Sequence, residues 1–297
     1  MPNTYKSETE FLTHYNIKNY PQPSLAADIV LLSLWRDKPD ADKKTIDIYG
    51  LDLLLINRAN YPEKNKWALP GGFCKPAESV HETAKRELFE ETHVADTYLS
   101  YHGVYSRPDR DPRGWIISNA FLALIDRNQC SLRADTDAWD AKWFGIEQLS
   151  SDVMESDKNS QKIRHTLVLA DRMTDIRLMA DTIETITFHP NGTDSIFKTL
   201  QSDLAFDHAE IITQAVLDYR RQILQDIRPV FSLLPEYFTL GELTESYRVS
   251  AGLKTIAAAN FKRRIEHYVI PTELMSENKG FRPARLYKRN PYVFMTP

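Results

Sequence analysis

The run from Gly72 to Val94 constrains this chain more than any other stretch. It reads Gly72, five residues, Glu78, seven residues, then Arg86-Glu-Leu-Phe-Glu-Glu91, closed by Thr92, His93 and Val94. Ser79 and Glu82 form an S-x-x-E capping box, which predicts a helix from Val80 to Glu91. At about 100° per residue, Glu87, Glu90 and Glu91 crowd one face of that helix. Val80, Ala84 and Leu88 recur every fourth residue and can anchor it to a sheet.

Three like charges at this spacing repel unless cations neutralise them, so the face destabilises a helix but suits a hard divalent ion. Mg²⁺, or Mn²⁺, takes a few carboxylate oxygens together with substrate phosphates and polarises a phosphoryl oxygen. Arg86 can brace one carboxylate. The competing reading, a solvated acidic face, holds for most Glu-rich helices.

Around this helix the first half alternates strand-length apolar runs with turns. Ala26–Leu34, Leu51–Asn57, Gly114–Leu124 and Ala141–Phe144 read as strands, with the helix between the second and third. That order is not a regular βαβ repeat and argues against a parallel dinucleotide-binding sheet. Ser106-Arg-Pro-Asp-Arg-Asp-Pro-Arg-Gly-Trp115 sets three arginines and a tryptophan just before a strand. Arginines can grip a diphosphate bidentately and an indole can stack on a base, although a charged surface loop has the same composition.

The spacing of Gly72, Glu78, Arg86, Glu87, Glu90 and Glu91 resembles the Nudix box. The resemblance implies an α/β/α sandwich with a mixed sheet that binds nucleoside diphosphates linked to another group and, in the family's enzymes, hydrolyses them with Mg²⁺ or Mn²⁺. It places Glu87, Glu90 and Glu91 at the metal, with Arg86 beside them as part of the catalytic set. His93 stands where the family has glycine, at a helix end that commonly needs a left-handed residue, which puts turnover in question. Beside this box, the 106–115 run looks like the Arg-Asp-Pro-Arg-Gly motif of Nudix proteins that handle ADP-ribose. Arg58, Gly72, Asp109, Arg110, Arg113 and Trp115 are the expected ligand contacts.

The second half is electrostatically distinct. From Lys254 to Arg289, nine Lys or Arg face three Glu, a balance of +6 in a chain whose net charge is -4. Thr239-Leu-Gly-Glu242 is a second capping box, opening a helix to about Val249. A helix from about Ile256 to Tyr268 follows, with Ala257, Phe261 and Ile265 on one stripe. Val269–Leu274 and Ala284–Lys288 then read as a hairpin turning near Gly280. This is the layout of a winged helix, whose second helix enters the major groove. Lys262, Arg263 and Arg264 on that helix, with Arg282 and Arg285 on the wing, are the expected DNA contacts. A winged helix that binds protein would carry a similar charge.

Leu204-Ala-Phe-Asp-His-Ala-Glu-Ile211, Phe238-Thr-Leu-Gly-Glu-Leu243, Asn260-Phe-Lys-Arg-Arg-Ile265 and Arg282-Pro-Ala-Arg-Leu-Tyr287, after a Nudix box, resemble the Nudix-related transcriptional regulators of NAD metabolism. The resemblance covers about residues 25–150 and 203–289. It implies a homodimer whose Nudix domain senses ADP-ribose or a related nucleotide and whose winged helix reads a double-stranded operator. The segment 204–224 joins the two, with Asp207 and His208 as capping and packing residues. The rival is an ADP-ribose pyrophosphatase with a dimerisation domain appended. The expected division is a Nudix domain over 1–150, an insertion or linker over 151–202, and a linker helix with winged helix over 203–297. Two cysteines and no long apolar run predict a reducing, cytoplasmic setting without membrane spans.

Overall fold

The computed structural model describes residues 5–37, 48–94, 97–130, 138–276 and 283–294. A short helix α1 (Glu8–His14) precedes strands β1 (Ser24–Asp37), β2 (Ile48–Arg58), β3 (Trp67–Ala68) and β4 (Gly71–Phe73), then helix α2 (Val80–Thr92). Strands β5 (Leu99–Tyr105), β6 (Ile116–Ile125), β7 (Ala138–Ser156), β8 (Ser160–Asp171), β9 (Arg177–His189) and β10 (Gly192–Ser202) lead into α3 (His208–Gln225). The chain ends with α4 (Leu240–Ser250), α5 (Ala258–Ile265), the hairpin β11 (Val269–Met275) and β12 (Arg285–Arg289), and α6 (Pro291–Phe294).

Among the described residues β1 to β10 form one sheet, ordered β10-β9-β8-β7-β2-β1-β6-β5, with β3 added to β2 and β4 to β1. It is mixed, as expected: β1 and β6 are parallel, and the other pairs are antiparallel. Successive residues of β1 face opposite sides. Ile29 and Leu31 pack beneath α2 with Ala84 and Leu88, whereas Val30 and Leu32 join a core with α3 and the winged helix. The helices thus lie on both faces of the sheet, the sandwich the Nudix resemblance implies.

Residues 151–202, expected as an insertion or linker, are sheet. The end of β7 and strands β8, β9 and β10 form an antiparallel meander that extends the Nudix sheet without a break. Its inner residues Leu167, Leu169, Leu178 and Ala180 are covered by the apolar stripe of α3.

In the C-terminal part, a 3-10 helix at Arg228–Leu233 brings Val230, Phe231, Leu233 and the following Leu234 into the core that also holds Leu243, Tyr247, Phe261, Ile265 and Val269. The second helix is shorter than expected, ending at Ile265 before a 3-10 turn. Phe238 and Tyr287 make an additional antiparallel bridge to the hairpin. No helix among the described residues is long and apolar enough to cross a membrane.

Candidate functional site: a nucleotide-sized cavity and a basic winged helix

The sheet forks at β1. Its second half pairs with β2, from Leu32↔Leu53 onward, whereas its first half pairs with β4 at Ala26↔Phe73 and Asp28↔Gly71. Between the diverging strands opens a cavity of about 490 Å³ lined from four directions. Arg58 comes from β2, Gly72 from β4, Glu87, Glu90 and Glu91 from α2, and Arg110 and Arg113 from the loop before β6.

Helix α2 begins with the predicted capping box, Ser79 and Glu82 each accepting the other's amide hydrogen. It ends at Thr92, with His93 in the left-handed conformation at φ 59° and its N–H donating to Phe89 O. Histidine therefore adopts the cap a glycine would, and the helix keeps its length. Arg86 organises the acidic face. It donates to Glu78 through Nε at 2.8 Å, to Glu87 at 2.6 Å and to Glu90 at 3.1 Å. These bonds from Arg86, aided by the Lys75 amide and the Thr83 hydroxyl, hold the Glu78 carboxyl down at about 2.

Glu87 and Glu91 behave oppositely. Burial raises Glu87 even though Arg86 opposes it. Glu91 is pushed up to about 8 by burial first and repulsion from Glu87 second, with the Gly71 amide pulling the other way. Its Oε2 is buried with no hydrogen-bond partner. An unpartnered carboxylate oxygen among other carboxylates is the donor set a hard divalent cation takes. Among the described residues no three such side chains stand grouped in ligand geometry, and Arg86 bonds both Glu87 and Glu90. A Cβ at position 72 would lie 2.2 Å from Glu87 Oε1, so any side chain there displaces the Glu87 carboxylate.

The opposite wall is cationic. Arg58 and Arg113 lie over the Phe206 ring at 4.7 and 5.3 Å, and Arg113 also covers Phe73 at 4.9 Å. Asp111 fixes Arg113 through a 2.6 Å bond. Burial, then the neighbouring Arg113, lower the Arg58 pKa, with Asp111, Glu63 and Asp28 pulling the other way. Acidic face and basic wall together suit a diphosphate bridged to one side by a cation and gripped on the other by guanidinium groups.

Not every expected ligand residue reaches this cavity. Asp109 is exposed and receives a 2.6 Å bond from Arg107, and Trp115 is half exposed just before β6; neither lines the wall. The sequence missed Phe206 and His208, which the approach to α3 brings into the lining. His208 Nδ1 accepts the Leu69 amide at 2.8 Å, so the ring is neutral there, and burial lowers its pKa. Asp207, expected to cap α3, makes no side-chain cap bond. Its carboxylate is instead gripped by Arg110, Nε to Oδ2 at 2.9 Å and Nη2 to Oδ1 at 2.8 Å.

On the winged helix, Lys262 and Arg263 are exposed on α5 and Arg285 is exposed on β12. Arg282 lies outside the described residues. Arg264 turns inward, against expectation. It donates to the Tyr247 hydroxyl and to the carbonyls of Ile223 and Leu224, capping the C-terminal turn of α3. Three residues after the buried Phe261, it shares the core-facing side of α5.

Comparisons agree with this architecture. A NUDIX domain model matches residues 45–166, and an NrtR DNA-binding winged helix domain model matches residues 230–288. The chain is 29% identical to the ADPR responsive transcriptional repressor NtrR of Acinetobacter baylyi over 96% of this chain and 89% of that protein. A MutT/nudix family protein from Enterococcus faecalis superposes with TM-score 0.62 at 28% identity, covering 96% of this chain and 94% of its own. Shewanella oneidensis NrtR, in a complex with a 27mer DNA, gives TM-score 0.57 at 27% identity, covering 90% and 94%. The chain thus joins a NUDIX domain to a winged helix domain of the NrtR type, and its likeness to these proteins runs along nearly all of its length.

Proposed function

We propose that this chain is a transcriptional regulator, acting as a repressor, that binds ADP-ribose or a related NAD-derived nucleotide in the cavity and duplex DNA through α5 and the hairpin. The observation that carries the reading is α3. Its first turn borders the cavity and its last turn is capped by Arg264 of α5, so one rigid element touches both sites. The Acinetobacter relative's name and the DNA-bound Shewanella neighbour support the same assignment. Lys262, Arg263 and Arg285 are the DNA contacts available in the described residues, and a homodimer in the cytoplasm fits a reader of two half-sites.

Glu87, Glu90 and Glu91 would hold Mg²⁺ or Mn²⁺, which when bound neutralises the ligand's diphosphate and polarises a phosphoryl oxygen. A second reading, pyrophosphatase activity, is favoured by the unpartnered Glu91 Oε2 and by the complete set of carboxylates. One experiment separates them. Fluorescence anisotropy with genomic duplexes, repeated with ADP-ribose, is expected to show salt-dependent binding that the nucleotide alters. Assays of AMP and ribose 5-phosphate formation from ADP-ribose and Mg²⁺ on wild type and Glu90→Gln run in parallel. Turnover without duplex binding would refute the regulator.

A further inference from the structure

The loop before β6 faces two ways. Arg113 and Arg110 line the cavity, yet Arg107 and Arg110 hold the first turn of α3. Arg107 bonds Glu210 at 3.0 and 3.1 Å, and Thr199 of β10 donates to the same carboxylate. The Arg110–Asp207 pair lies deeper. Arg110 is 5% and Asp207 3% exposed, and among the described residues the Asp207 carboxylate takes side-chain hydrogen bonds from Arg110 alone. Asp207 itself does not line the cavity.

We propose that Arg110 is shared between the nucleotide and α3: a diphosphate entering the cavity draws the guanidinium away from Asp207, and the released carboxylate resets the first turn of the helix that carries the winged helix. This rests on the regulator reading and supplies its coupling step.

Three features make the exchange a switch with two discrete positions. A buried carboxylate deprived of its cation cannot stay as it is, because the low-dielectric surroundings penalise an unpaired charge heavily. Asp207 already occupies the N-cap position of α3 without using it. Once released, its carboxylate can accept the Ala209 amide, the ordinary role of an N-cap aspartate, while His208 N and Glu210 N already donate to the carbonyls of Ala205 and Asp207. Meanwhile Arg110 retains a partner on the cavity side, since Asp28 lies 3.5 Å from Nη2 and is itself held by the Ser118 hydroxyl.

The far end of α3 is equally constrained. The helix has 18 residues, about 27 Å of rigid rod, and Arg264 of α5 bonds its last carbonyls at 2.8 and 3.2 Å. A rotation or shift of the first turn therefore arrives at the helix that presents Lys262 and Arg263. A ligand biases such an element only through different contacts in its two positions, and Arg110 supplies them.

The test uses the full chain and its Asp207→Asn variant, which keeps the shape of the side chain and removes the charge. ADP-ribose affinity is measured by calorimetry, and duplex affinity by anisotropy with and without ADP-ribose. In wild type the nucleotide is expected to change the duplex Kd about fivefold or more. In Asp207→Asn, which spares the nucleotide the parting of Arg110 from its carboxylate, ADP-ribose is expected to bind at least as tightly as in wild type, but the nucleotide-induced change in duplex Kd falls below about twofold. Hydrogen exchange of the amides of residues 208–212 provides a readout that needs no variant: ADP-ribose is expected to alter it in wild type. Unchanged coupling in Asp207→Asn, or first-turn amides indifferent to ADP-ribose, overturns the switch while the regulator stands. A wild-type protein that binds neither ADP-ribose nor duplex overturns both.

Discussion

Replacing Glu91 by glutamine should stabilise the metal-free protein, and increasingly so as pH rises. The Glu91 carboxyl is raised from 4.5 to about 8, chiefly by burial and secondarily by Glu87. Below pH 4.5 folded and unfolded chains both carry the proton. Between 4.5 and 8 the unfolded chain has released it while the folded chain retains it, so folding stability falls across that window and levels off above it. The full linkage amounts to at most about 5 kcal/mol, at about 1.4 kcal/mol for each tenfold change in acidity. Water entering the open cavity screens part of this, leaving roughly 2–4 kcal/mol between pH 5 and pH 8.5. Glutamine has no proton to lose, so Glu91→Gln removes that slope. Urea unfolding in chelator at several pH values measures the difference between the two proteins. Added Mg²⁺ should recover stability in wild type and not in the variant, because a ligand of the folded state stabilises it by mass action. Parallel pH profiles for the two proteins would show that the carboxyl is solvated and would refute the reasoning.

Three further outcomes are expected. Gly72→Ala displaces the Glu87 carboxylate and should weaken ADP-ribose binding about tenfold in calorimetry, about 1.4 kcal/mol; unchanged affinity would mean the ligand does not depend on where Glu87 sits. Arg264→Ala removes hydrogen bonds to two carbonyls and to the Tyr247 hydroxyl and should cost about 2 kcal/mol in urea unfolding; a variant as stable as wild type would contradict its capping role. Lys262→Ala and Arg263→Ala should leave stability within about 0.5 kcal/mol yet each reduce the salt slope of duplex binding by about one. A slope unaffected by either change would move the DNA interface elsewhere.

What the sequence made legible was local. The capping boxes at Ser79 and Thr239 and the carboxylate spacing of α2 depend on neighbours three or four residues apart, and each appears where it was expected. The second wall of the cavity was hidden because it is assembled over long separations: the His208 ring meets the Leu69 amide across 139 residues. Asp207 looked like a cap because it precedes a helix, but Arg110, 97 residues away, claims its carboxylate. Arg264 was grouped with Lys262 and Arg263 by charge, although three-residue spacing from Phe261 places it on the inner side. The 151–202 meander was not legible as a whole because its buried apolar residues are scattered among polar ones, Leu167, Val168 and Leu169 in β8, Leu178 and Ala180 in β9 and Phe197 in β10.

The apolar interior running from Val30 and Leu53 through Tyr219 and Ile223 to Phe261 and Val269 has a consequence for how this molecule could be cut or rebuilt. A reader swung from a flexible tether can be traded for another; this one is seated on the same hydrophobic bed as the sheet. Shortening the chain after Gln225 would strip the underside of α3 and leave Tyr219 and Ile223 facing water. Heating should melt both halves in a single transition, and any graft of a foreign winged helix must bring its own match for that seam.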